Sequence, residues 1–343
     1  MSKNSGFLPK VSVIVPVKNG AATIRDLLDS LMQLEYDKGK LEIVVVDGNS
    51  VDKTCEIVSR YPVRLLTEER PGLNAARNTG IKNSTGEIIV FTDSDCVVPR
   101  NWIERIIENF QDTEVGCVGG STKGYYSDFL SRYSDESIIP VLRRFSKREV
   151  LSAIKPPLKY PAGCNMAIRR EVTEKAGFFN ENIVYGFDED EFVERICKNG
   201  NKMVLDPEVM VMHKHRSTIL NLLKQNFRYG QGIGSFPRTV GIKSEISRWG
   251  LACIVGFLTW ISIISSLAVH AVFTLSLISL TALLAVILLP PIALILIYTY
   301  YNARNNRGKI AEIMKYPFID IARSMAFLVG GLYQLLKPKA RKR

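Results

Sequence analysis

The sequence predicts an α/β domain built on a mostly parallel sheet with helices on both faces, followed by a carboxyl-terminal α-helical membrane region. Three observations predict it. Short apolar, β-branched runs alternate with segments of helical spacing through the first two thirds of the chain, and strands interleaved with helices pair in parallel beneath cover on both faces. Polar, flexible residues follow each run at its carboxyl end, which is where ligands bind in such sheets. The composition then changes abruptly near Arg248, and Gly250 to Tyr300 is almost uncharged.

Taken in order, Val11 to Val17 reads as a buried strand, and Ala21 to Met32 as a helix from the spacing of Ile24, Leu27, Leu28 and Leu31. Leu41 to Val46 is the next strand and Asp52 to Ser59 the next helix. A strand near Val63 to Thr67, a helix from Leu73 to Asn83 and the strand Ile88 to Phe91 follow. The strand ends read Lys18-Asn19-Gly20, Asp47-Gly48-Asn49-Ser50, Glu68-Glu69-Arg70 and Asp93-Ser94-Asp95. Strand alternation would aim Asp93 and Asp95 to one side, and a few hard oxygen ligands suit Mg²⁺ or Mn²⁺. Farther on, a helix begins near Arg170. Another, Asp188 to Asn199, opens on the acids Asp188, Glu189, Asp190 and Glu191. The helix dipole stabilises an acid at its amino terminus by about 0.3 to 1 kcal/mol. That explains one or two acids, not four that repel one another.

The expected division is a soluble domain over 1–235 and a membrane anchor over 236–343. The anchor has spans at about 250–271 and 272–300, forming a hairpin around His270 with a kink at Pro290-Pro291. A third apolar helix, about 317–336, carries Asp320 and Arg323 and is expected to be re-entrant, interfacial or spanning. The formal charge of +11 could indicate nucleic acid. However, five of the last seven residues are basic, and Arg304, Arg307, Lys309 and Lys315 flank an apolar stretch, which points to anionic lipid instead. No secretion signal is read in Met1 to Lys10, so the expectation is a multi-pass cell-membrane protein whose soluble domain is cytoplasmic. The six cysteines form no C-x-x-C pair and read as reduced, buried small hydrophobes.

The ordered segments V-S-V-I-V-P-V-K-N-G, V-V-V-D-G-N-S-V-D-K-T, P-G-L-N-A-A-R-N-T-G and F-T-D-S-D-C resemble the family-2 glycosyltransferases of the GT-A fold. The resemblance implies a nucleoside diphosphate sugar donor, with Pro16 and Lys18 lining base and ribose and Asp47 meeting one of them. It implies that Arg77 reaches towards the diphosphate or donor sugar, and that Asn165, in Tyr160-Pro-Ala-Gly-Cys-Asn-Met-Ala-Ile-Arg169-Arg170, touches the sugar. Asp93 and Asp95 would hold Mg²⁺ or Mn²⁺, Asp93 facing the donor as well, with His213 as a third ligand. The family's E-D-x-D-L-x-x-R pattern aligns on Asp188 to Arg195, which puts the base on Glu189, or one residue on at Asp190, beside Asp188. Gln225, Arg228 and Tyr229 resemble a Q-x-x-R-W/Y element that lies over acceptor and diphosphate. The implied activity is an inverting, metal-dependent transfer of a sugar to a hydroxyl of a lipid-linked acceptor. A polyprenyl-phosphate sugar synthase is the alternative, and a membrane-anchored sugar-nucleotide-binding protein without turnover is the alternative of another class.

Overall fold

The computed structural model describes residues 8–154, 159–305 and 310–337. The chain divides into two compact units, one of Met1–Ser127 with Pro140–His215, the other of Asp128–Ile139 with Arg216–Arg343.

The first unit opens with β1 (Val11–Val17), α1 (Ile24–Met32), β2 (Leu41–Asp47), α2 (Thr54–Val58), β3 (Arg64–Thr67), α3 (Leu73–Lys82) and β4 (Ile88–Phe91). It continues through β5 (Cys96–Val97), α4 (Trp102–Glu108) and β6 (Val115–Gly124). After α5 (Phe129–Glu136), which belongs to the second unit, come β7 (Glu149–Leu151), β8 (Met166–Arg169), α6 (Val172–Ala176), α7 (Asp188–Lys198) and β9 (Lys202–His213). These strands make one sheet in the order β3-β2-β1-β4-β8-β6-β9-β5, with β7 on β9. β1, β2, β3 and β4 run parallel. β8 enters antiparallel between β4 and β6, so the sheet is mixed at its centre.

β1 is buried along its length because both faces are covered, as its unbroken run of apolar residues requires. Val11, Val13, Val15 and Val17 point into one core with α1 and α4, and Ile14 points into the other with Phe179, Phe192 and Ile196. Each such side chain, once buried, contributes about 1.5–3 kcal/mol. The register Val17↔Asp47 and Asp47↔Thr67 brings the carboxyl ends of three strands level.

The second unit holds α5, α8 (Ile219–Thr239), α9 (Glu245–Thr274), α10 (Leu277–Asn305), α11 (Ile310–Ile313) and α12 (Tyr316–Leu336). The boundary between the compact units falls at His215/Arg216, and within the second unit α8 packs on α12. Glu245–Thr274, Leu277–Tyr301 and Ala311–Leu336 are each long and apolar enough to cross a membrane. The hairpin turns at Leu275, in the left-handed region at φ 51°, and not at His270. Ser276 sets that turn: its carbonyl accepts from Leu280 N–H at 3.1 Å and its hydroxyl from Ser279 N–H at 3.4 Å. His270 closes the hairpin instead, with Nδ1 2.6 Å from Ser279 Oγ. α10 continues through Pro290 and Pro291. Arg307 and Lys309 of the basic connection, and the tail beyond Lys337, lie outside the described residues.

Candidate active site

β4 ends at Phe91, and Asp93 to Cys96 form a turn closed by Cys96 N–H donating to the Asp93 carbonyl at 3.1 Å. The turn, not strand alternation, brings Asp93 and Asp95 together. Cys96 is the cross-strand partner of His213, and the His213 Nε2 lies 3.3 Å from Asp95 Oδ1. Lys214 N–H donates to the Asp95 carbonyl at 2.9 Å, which fixes the end of β9 on the acidic turn. Burial and the Asp95 charge push the Asp93 carboxyl up, partly offset by Arg77 and His213. Burial pulls the His213 imidazole down, but its hydrogen bond to Asp95 and that residue's charge prevail and raise it to about 9. Two carboxylates and an imidazole in one half-buried turn fit a hard divalent cation. Cys96, which sequence reasoning treated only as core, adds a thiol to this group.

Arg77 is 2 % exposed and forms a buried ion pair with Asp188, with its guanidinium carbon 5.1 Å from the Phe179 ring centroid. Gly163 is what makes room for it, since a Cβ there would lie 2.2 Å from Arg77 Nη2. Arg77 is held inside the protein, and the glycine admits it.

The four acids of α7 have different partners. Asp188 pairs with Arg77, and Glu191 takes Arg195 Nε at 2.7 Å. Asp190 is 1 % exposed, its Oδ1 buried without a hydrogen bond; burial first, then Glu189 and Asp188, push its carboxyl well up against the opposing charge of Arg143. Glu189 is half-buried, and its Oε1 sits 3.4 Å from Gly163 N–H. Burial and the Asp188 charge push its carboxyl up to about 8, with Arg77 opposing. Glu189 is thus the carboxylate that combines access with a basic pKa. The backbone before α7 is turned sharply by Gly186 and Phe187, at φ 77° and 64°, which aims this end of the helix.

The loops that follow β1 and β2 are stapled together. Asn19 N–H donates to Ser50 Oγ at 2.7 Å, Val51 N–H to Asn19 Oδ1 at 2.9 Å and Gly20 N–H to Thr54 Oγ1 at 2.8 Å. Asp47 accepts from Ser50 N–H at 2.9 Å. Pro16 is buried in β1, while Lys18 is exposed at its end. Asn165 is held from three sides: its carbonyl accepts from Trp102 Nε1 at 3.0 Å, and its amide donates to Ser121 O and Val209 O at 2.8 and 2.9 Å. It ties α4, β6 and β9 together. Gln225, Arg228 and Tyr229 belong to the second unit, on α8; Gln225 Nε2 donates to Tyr229 OH at 3.1 Å and Arg228 is exposed.

The model of glycosyl transferase family 2 matches residues 12–177. Glycosyltransferase AglE of Haloferax volcanii is 32 % identical over 234 residues, 66 % of this chain and 73 % of that protein. This chain belongs to the family-2 glycosyltransferases. It is a nucleotide-sugar-dependent transferase on a GT-A fold. The probable glycosyltransferase YdaM of Bacillus subtilis is 25 % identical over 244 residues, 67 % of this chain and 56 % of that protein. Among solved structures, mannosyltransferase PcManGT from Pyrobaculum calidifontis, in complex with GDP-Man and Mn²⁺, matches with a TM-score of 0.64 and 23 % identity. That match covers 97 % of this chain and 89 % of that one.

Proposed function

We propose that this transferase moves a sugar, with inversion, from a nucleoside diphosphate sugar to a hydroxyl of a lipid-linked sugar at the membrane surface. The observation that carries the reading is the placement of Glu189, half-buried against Gly163 N–H with its carboxyl raised to about 8. Such a group takes a proton from an acceptor hydroxyl near neutral pH. A synthase acting on a polyprenyl phosphate would attack with an oxygen already ionised and have no need of it. Asp93, Asp95 and His213 would hold Mg²⁺ or Mn²⁺, which when bound neutralises the departing diphosphate. Asp47 and the stapled loops around Asn19 and Ser50 bind the nucleoside. Buried Arg77 acts through Asp188, fixing α7 so that Glu189 faces the donor.

A lipid-carried acceptor is supported by three apolar helices. It is also supported by a Methanococcus voltae relative, 24 % identical over 261 residues, whose name describes transfer onto a dolichyl-linked N-acetylglucosaminyl phosphate. On this reading the catalytic unit is cytoplasmic.

The test is nucleoside diphosphate release by detergent-purified protein supplied with GDP-, UDP- or dTDP-sugars, Mn²⁺ and a membrane lipid extract. Release that needs both metal and lipid, and falls at least about a hundredfold in Asp95→Ala, is expected. Metal-independent release, or release unchanged by Asp95→Ala, would overturn the reading.

A further inference from the structure

The acidic turn carries a donor that a hard cation does not need. Cys96 and His213 are directly opposed on β5 and β9, and opposed side chains of an antiparallel pair share a face. Asp95 Oδ1 stands 3.3 Å from His213 Nε2. The edge of a tetrahedron with bonds of about 2.0 Å is also about 3.3 Å, so these two ligands already stand at tetrahedral spacing. Among the described residues, the ligand atoms of Asp95, Cys96 and His213 all lie within 4.8 Å of one another. A shift of about 1 Å by the thiol would close a three-ligand site whose sulfur bond is about 2.3 Å.

We propose that this turn is also a soft-metal site, in which Zn²⁺ or Cd²⁺ binds Asp95, the Cys96 thiolate and His213 in place of the hard ion. The inference rests on the reading that Asp95 and His213 face a metal, and does not depend on the transfer reaction. On binding, the thiol proton leaves to solvent and one metal–sulfur bond forms. Sulfur with imidazole selects zinc over manganese, whereas carboxylate and water suit manganese. Three protein ligands then hold the soft ion at the position a donor diphosphate needs, so zinc displaces manganese and blocks the site.

The full chain, purified in detergent and loaded with one equivalent of Zn²⁺ alone, is examined by X-ray absorption at the zinc edge. A sulfur shell at about 2.3 Å beside nitrogen and oxygen at about 2.0–2.1 Å is expected, and Cys96→Ser should remove the sulfur. Mn²⁺ binding followed by electron paramagnetic resonance checks that this variant keeps its fold. His213→Gln is a second variant that should retain sulfur and lose at least about tenfold in zinc affinity. A wild-type spectrum with nitrogen and oxygen only, or a sulfur shell that survives Cys96→Ser, would overturn the proposal. Sulfur ligation of zinc, in a protein that releases no nucleotide when manganese and the lipid extract are supplied without zinc, would defeat the lipid-acceptor reading alone. Manganese-dependent release with zinc bound by oxygen and nitrogen only would defeat this proposal alone.

Discussion

At the scale of single residues, the acid run of α7 is resolved by its partners. Asp188 and Glu191 are neutralised by Arg77 and Arg195, which leaves Glu189 and Asp190 to repel each other. The folded Glu189 holds its proton up to about pH 8, against an ordinary value of 4.5. Its unfolded form releases that proton earlier, so this group's contribution to stability falls as pH rises from about 4.5, and the loss is complete above about 8. Glu189→Gln cannot ionise. Its melting temperature in metal-free detergent should match wild type near pH 4.5 and exceed it at pH 8.5, while turnover falls by about 10² to 10⁴. A melting temperature below wild type at both pH values would sink this account. For the wild type, kcat/KM should climb with pH towards a plateau above about 8. Asp93, Asp95 and the acid cluster were legible in the sequence because their residue types and order carry the chemistry. The Arg77–Asp188 pair was not, since its members are 111 residues apart and only the folded sheet brings them together. The partners of Asn165 were not legible for the same reason, lying on α4, β6 and β9.

At the scale of elements, periodicity located most strands and helices but not how they pair. β8 has the apolar content of a parallel core strand yet runs antiparallel, a choice set by its neighbours β4 and β6. The α9–α10 turn carries no Gly, Pro or Asn, so nothing in the sequence at Leu275-Ser276 marks it. In the second unit, α8 and α12 approach backbone to backbone. A Cβ at Gly230 would fall 1.9 Å from the Phe327 carbonyl oxygen, and one at Gly330 2.1 Å from that of Phe227. Gly256 of α9 has nothing within 4 Å of the same point. Gly230→Ala or Gly330→Ala should therefore destabilise by about 1–3 kcal/mol or more, as overpacking does. Gly256→Ala should be neutral or slightly stabilising through its helix propensity. Thermal unfolding of the three variants in one detergent checks this, and equal effects would contradict the packing described.

At the scale of the whole molecule, the open question in the sequence was whether the third apolar helix spans. α12 has the length and composition to do so, but its contacts lie at one end of the α9–α10 hairpin. Near its start, Asp320 accepts from Tyr298 of α10, and also from Tyr133 and Ser137 at 2.5 and 2.8 Å. Its middle meets Trp249 and Ile254 in the opening turns of α9. At its far end, Arg238 of α8 donates to the carbonyls of Leu335 and Lys337, only a few residues before α9 begins. Both ends of α12 thus sit beside the hairpin's open end, away from the turn at Leu275. A helix running from one face of a bilayer to the other would have one end beside that turn. α12 is accordingly expected to lie along the membrane surface beside α8, keeping Asp320 and Arg323 paired at 3.2 Å near the headgroups rather than in hydrocarbon. In sealed vesicles, an impermeant maleimide should label Lys337→Cys from the same side as the catalytic unit and Ser276→Cys from the opposite side. Labelling of Lys337→Cys from the side opposite the catalytic unit would instead make α12 a third span.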